Sequence, residues 1–95
     1  MSPKELVPVK DYCRYNHIEV SFIQSLEDSG LIEISRVEES DFISYDEMPR
    51  VEKFVRMHYD LNINIEGLET IDHLLQKMET LQNELNRLKG RIHEW

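Results

Sequence analysis

From Ile71 onward the apolar residues fall into an unbroken heptad register, with Ile71, Met78, Leu85 and Ile92 at a and Leu74, Leu81, Leu88 and Trp95 at d. A 3.5-residue apolar repeat keeps one seam of a helix turned toward a partner helix, so this stretch is committed to a long helix. Leu74 to Trp95 spans about 33 Å at 1.5 Å per residue, long beside the ~60 residues of module before it. A helix folded back on its own module could cover only part of that seam, and an uncovered seam of this length favours self-association. Residues 63–95 are therefore expected to form a C-terminal helix that dimerises as a two-stranded coiled coil through Ile71, Leu74, Met78, Leu81, Leu85, Leu88 and Ile92. An antiparallel pair is expected if the two modules are to sit apart, with Lys77, Glu84 and Arg91 at g positions setting orientation. Leu68 and Leu75 widen the stripe near its start, so the first two turns should also touch the preceding module.

Residues 1–62 read as that module. Pro3 and Pro8 suit an extended lead-in with one short edge strand at Leu6 to Val9. Val9, Tyr12 and Cys13 share a helical face, which predicts a helix over about 9–15, closed by a turn at Asn16-His17 in which Asn can take the left-handed conformation. The next stretch, HIEVSFIQSLEDSGLI, has the layout of the second half of a helix-turn-helix. Ile18, Phe22, Ile23 and Leu26 recur at 3–4-residue steps and Gly30 supplies a stop, which predicts a helix over about 19–29. Two apolar runs, Leu31-Ile32-Glu33-Ile34 and Phe42-Ile43-Ser44-Tyr45, flank the polar stretch Arg36 to Asp41 and predict a small hairpin over about 31–45, with Glu38, Glu39 and Asp41 at its tip. Asp46 is placed to cap a third helix over about 46–60, whose apolar set is Met48, Val51, Phe54, Val55, Met57 and Leu61. DLNIN at Asp60 to Asn64 breaks it, and Asn62 or Asn64 caps the last helix. The fold class is mainly α, with a small β hairpin.

Charge narrows the function. The 95 residues carry a formal charge of −8. Nearly all of it lies in the first half: residues 1–49 hold four basic groups (Lys4, Lys10, Arg14, Arg36) against eleven acidic ones, and residues 50–95 hold seven against eight. A helix meant for the major groove would turn Arg, Lys, Asn or Gln outward. The outer face of the second helix instead offers Glu19, Ser21, Gln24, Ser25, Glu27 and Asp28, with no Lys or Arg between Arg14 and Arg36. A charge run is ordinarily a solvated surface. Here the carboxylates collect on the two elements that contact a ligand in winged helix-turn-helix domains, which makes an acidic docking face for a basic protein surface the better reading. The residues expected to carry it are Glu19, Gln24, Glu27, Asp28, Glu38, Glu39 and Asp41.

No enzyme is expected. Cys13 lies on an apolar face without a partnered base, and there is no Gly-rich phosphate loop. His58 and His73 fall on helices without an i, i+4 His or Cys partner, and His17 and His93 stand alone, so neither metal nor cofactor is expected. One cysteine permits no internal disulfide, and no apolar run approaches 18 residues, which points to a reducing, cytoplasmic setting without membrane contact.

The order of parts resembles the MerR-type winged helix-turn-helix, which implies that the hairpin is the wing. Glu27 and Gly30-Leu31 match the MerR pattern in the second helix. Gln24-Ser25-Leu26 stands where MerR regulators hold Arg-Tyr-Tyr, His17 stands at the turn glycine, and VEESDF replaces the basic wing. The chain is similar over about residues 8–92 to the CbpM-type chaperone modulator family. The similarity rests on the short chain, on RMHYDLNINIEGLETI from Arg56 to Ile71, and on the LQNELNRLKGRI tail, the DLNIN-x-x-G segment being its most specific part. The resemblance implies a homodimer that binds the J-domain of a DnaJ-like, nucleoid-associated co-chaperone, blocking both its stimulation of Hsp70 and its DNA association. A basic J-domain helix would suit an acidic face, and DNA binding by this chain is not expected. Two alternatives stay open: a MerR-type transcriptional regulator in which Arg14, Arg36, Arg50 and Lys53 reach phosphates, and a coiled-coil adaptor with no chaperone link.

Overall fold

The computed structural model describes residues 5–93, with side-chain surroundings defined as far as Arg91. Pro3 and the d-position Trp95 lie outside the described residues, as does the side-chain environment of Ile92. The elements run β1 (Leu6–Pro8), α1 (Val9–Asn16), α2 (Val20–Asp28), β2 (Ser35–Val37), β3 (Ser40–Ser44), α3 (Met48–Tyr59) and α4 (Ile65–His93). The chain is mainly helical, with one small antiparallel sheet and a long C-terminal helix, as the sequence pattern predicts. β3 is central in the order β1-β3-β2, pairing Val7 with Ile43 on one side and Arg36 with Asp41 on the other.

α1 and α2 end in the same way. Ile18 N–H donates to Cys13 O (2.9 Å) and His17 N–H to Arg14 O (3.4 Å); thirteen residues on, Leu31 N–H reaches Leu26 O (2.9 Å) and Gly30 N–H reaches Glu27 O (2.9 Å). Each is the 6→1 and 5→2 pairing that closes a helix through one left-handed residue. In α2 that residue is Gly30 (φ 76°); in α1 it is His17 (φ 57°). The turn after α1 therefore places His17, not Asn16, in the left-handed region, while Asn16 bonds back through Nδ2 to Tyr12 O at 2.8 Å.

Three further sequence expectations shift. Leu31 and Ile32 are not strand residues; they lie in the bend after α2 and are buried in the core, and the second strand forms instead from Ser35–Val37. Burial explains the exchange: a short apolar pair reads alike as a strand or as a plug beneath a helix. Asp46 lies one residue before the N-cap position of α3. Glu47 holds that position without a side-chain capping bond, and its Oε1 accepts from Glu33 N–H at 2.7 Å. Leu61 is 66% exposed rather than part of the α3 stripe, whose buried members are Val51 and Phe54.

The core joins α1, α2, Ile43 of β3 and α3, and α4 contributes Leu68, which is fully buried. DLNIN-x-x-G is the joint that sends α4 out of this core. Asn62 takes φ 59°, Ile63 O accepts from His58 Nδ1 (2.8 Å), and Asn64 Oδ1 accepts from Gly67 N–H (2.8 Å), which makes Asn64 the cap. A Cβ on Gly67 would stand 2.7 Å from Ile63 Cγ2, so glycine is required by close approach. Arg50 ties the same corner together: Nε donates to Leu31 O and Nη2 to Asp72 Oδ2 (2.9 Å), which also accepts from Gln76 Nε2 (2.9 Å). Beyond Asp72 the helix leaves the module, and every described side chain from His73 to Arg91 is exposed. No helix among the described residues is long and apolar enough to cross a membrane.

Candidate functional site

The outer surface of α2 and the β2–β3 hairpin form one face, held by Arg36. Its Nη1 and Nη2 donate to Glu27 Oε2 and Oε1 (2.9 and 2.7 Å), and its Nε meets Asp41 Oδ1 at 3.1 Å. The two-pronged contact to Glu27 is the geometry in which a guanidinium fixes a carboxylate best. Hydrogen bonds from Arg36 hold the Glu27 carboxyl below the usual carboxylate range against an opposing push from burial. Gln24 extends the clasp, its Nε2 donating to Glu27 Oε1 (3.0 Å) and Asp28 Oδ1 (3.1 Å). At the other end of α2, Glu19 Oε2 accepts from Ser21 Oγ (3.2 Å) and Glu19 N–H donates to Tyr59 Oη (3.1 Å). Phe22 stacks on His58 at 4.2 Å, anchoring α2 to the end of α3.

All seven sequence-predicted residues lie on α2, its entry or the hairpin, but they are not equivalent. Glu19, Gln24, Asp28, Glu38 and Glu39 are exposed, whereas Glu27 and Asp41 are half-buried and engaged by Arg36. Asp41 is thus not displayed at the tip: the tip is Glu38-Glu39 alone, between the paired Val37 and Ser40. Both tip residues are left-handed, at φ 49° and 66°. A two-residue hairpin loop of this shape favours Asn-Gly, and a bulkier side chain there is strained. Arg36, which the sequence reading placed only among the cations of the regulator alternative, is what holds this face together. The signal was its isolation, as the only cation between Arg14 and Arg50. With it, the face carries six carboxylates around one guanidinium.

The basic groups that could serve a nucleic acid are mostly turned to internal partners. Arg36 is clasped, Arg50 is bonded to Leu31 O and Asp72, and Lys53 Nζ lies 5.0 Å from the Phe54 ring centroid. Among the described residues Arg14 bonds only Asp11 (3.0 Å), and it is 82% exposed, a pairing too solvated to withdraw it. Cys13 is buried in the core, and burial pushes its thiol up, away from the reactive thiolate. Among the described residues, no group of three His, Cys, Asp or Glu side chains is arranged to hold a metal ion.

Comparison with known proteins places this geometry. The family model described as MerR HTH family regulatory protein matches residues 7–90. A chaperone modulatory protein, CbpM, from Pseudomonas putida is 27% identical over 85 residues, covering 88% of this chain and 84% of the relative. No solved structure matches. With the match running from β1 almost to the end of α4, the chain belongs to the MerR HTH family of regulatory proteins.

Proposed function

We propose that this protein is a non-enzymatic chaperone modulator whose α2–hairpin face docks on the basic surface of a J-domain co-chaperone, inhibiting its Hsp70 stimulation and its DNA association. The α1–α2 pair is the helix-turn-helix and the β2–β3 hairpin its wing. The observation that carries this reading is the composition of the face: exposed carboxylates occupy α2 and the hairpin tip, and the one arginine present is spent internally. The seam of α4 supports a homodimer, since Leu74, Met78, Leu81, Leu85 and Leu88 are all exposed in the single chain. An antiparallel coiled coil brings g against g, and a pair centred between Met78 and Leu81 sets each Glu84 against Lys77 of the second copy.

Titration of a purified J-domain at low and high salt tests the docking. Binding that weakens as salt rises is expected; absence of binding at either salt, or indifference to salt, counts against it. The family match keeps a second reading in play, that of a DNA-binding regulator using Arg14 and its neighbours. A gel-shift screen with promoter fragments separates the two, because the docking reading expects duplex DNA to run unshifted.

A further inference from the structure

Beside the acidic face lies a cleft of about 340 Å³ where the hairpin meets the first turns of α1 and α2. Its floor is apolar: Pro8, Val20 and Phe42. Val20 is 46% exposed there, an unusual surface for a β-branched residue at the start of a helix that buries Phe22 and Ile23. Its rim carries Asp11, Glu39 and Asp41 against one cation, Lys10. Asp41 already meets Arg36 and Asp11 meets Arg14, whereas Glu39 has no side-chain partner among the described residues. Glu39 lines the cleft from the left-handed turn at the hairpin tip.

We propose that this cleft receives a lysine or arginine side chain projecting from the protein partner, its methylene stem on Pro8, Val20 and Phe42 and its cationic head at Glu39. The inference rests on the docking function above and names where on the face the partner is gripped. Amphipathic cations combine an apolar stem with a charged tip, and a cleft that is apolar below and acidic above matches both parts. A small polar ligand fits less well. The volume is at the lower end of ligand pockets, about 300–1,000 Å³. Among the described residues no buried side-chain nitrogen or oxygen lacks a partner, so nothing inside waits to orient such a molecule. A buried, well-packed anchor of this kind is where interface energy concentrates.

The test is a J-domain titration of the full chain and three variants: Glu39→Gln and Val20→Ser within the cleft, and Asp28→Asn on the same face outside it. All three positions are exposed, and a thermal melt checks that each variant folds. Losses of about tenfold are expected for Glu39→Gln and Val20→Ser, with less than threefold for Asp28→Asn. The salt dependence should flatten for Glu39→Gln and stay intact for Val20→Ser. Acetylating the J-domain lysines should remove the difference between wild type and Glu39→Gln if the occupant is lysine; a difference that persists assigns it to arginine. If the cleft variants bind within twofold of wild type while Asp28→Asn weakens, the partner uses the face without the cleft and the proposal is overturned alone. A wild type that binds no J-domain, or that shifts duplex DNA instead, overturns the docking function and the cleft's occupant together.

Discussion

Replacing Glu38-Glu39 by Asn-Gly should make the protein more stable and a worse binder. Both residues sit in the left-handed region, at φ 49° and 66°, where a side chain beyond glycine costs about 1–2 kcal/mol. Asn tolerates that region and Gly adopts it freely, while Gly's extra freedom in the unfolded chain takes back about 0.5–1 kcal/mol. The net gain is about 1–2 kcal/mol, or roughly 5–15 °C in Tm for a domain of this size. Removing two adjacent exposed carboxylates acts in the other direction on docking. With Glu39 contributing the tenfold expected of the cleft and Glu38 about 0.5–1 kcal/mol, their loss weakens J-domain affinity about 20–50-fold and flattens its salt dependence. Calorimetric melts at one fixed chain concentration, needed because the proposed dimer would make Tm concentration-dependent, would be paired with titrations at two salt concentrations. A higher Tm with unchanged affinity would refute the claim that the strained tip serves the partner. An unchanged Tm would refute it earlier, by showing that the turn stores no strain.

Breaking the Arg50–Asp72 pair with Arg50→Met strands a carboxylate whose side chain is only 10% exposed. A loss of about 2–3 kcal/mol in denaturant melts is expected, below the ~3–5 kcal/mol of a fully buried pair because Arg50 is itself 32% exposed, and most of it should return in the double variant Arg50→Met/Asp72→Leu. Arg36→Gln tests the clasp through pH. Arg36 lowers the Glu27 pKa in the folded state, so its stabilisation is complete above the unfolded carboxylate value of about 4.3 and is lost as pH falls through the depressed folded value. The Tm gap between wild type and Arg36→Gln should therefore be full at pH 6–7 and close at strongly acid pH, and a gap that widens on acidification would contradict the assignment. Leu81→Lys places a charge on the seam at a residue 64% exposed in the single chain, so sedimentation should show a monomer while circular dichroism keeps the module's helices. A wild type that sediments as a monomer at ~100 μM would defeat the coiled-coil reading instead.

The helical character of the chain was open to view in the sequence because its signals are local: apolar steps of three and four, Gly30 at a stop, and heptads that leave α4 no other conformation. What was hidden depends on tertiary partners. Leu31 and Ile32 carry strand-like chemistry, yet the core takes them as plugs and the sheet recruits Ser35–Val37, of which only Val37 has strong strand propensity of its own. The acidic face was equally readable as charge, but not its internal division. That Glu27 and Asp41 are held by one guanidinium follows from α2 lying against the hairpin, a proximity between residues nine and fourteen positions apart that no periodicity encodes. His17 was visible as the occupant of a glycine position, and the structure adds the reason: the turn needs a left-handed residue whichever side chain stands there.

The most family-specific stretch of the chain and its candidate docking face are separate pieces of the molecule. DLNIN-x-x-G makes its bonds inward: His58 to Ile63 O, Asn64 to Gly67 N–H, and a glycine forced by the approach of Ile63. Its task is to launch α4 from the core at a fixed angle, which any MerR-like protein with a C-terminal helix requires whatever it binds. That segment therefore speaks to architecture and is silent on the partner. The partner must be read from α2 and the hairpin, where Arg36 is bound down by two carboxylates and Glu38-Glu39 occupy a turn better suited to Asn-Gly. The tip pair is not needed for folding, since Asn-Gly could close the same hairpin with less strain. That cost to the fold is the physical reason for proposing Glu38-Glu39 as a recognition element, while the Arg36 clasp stabilises the face around them.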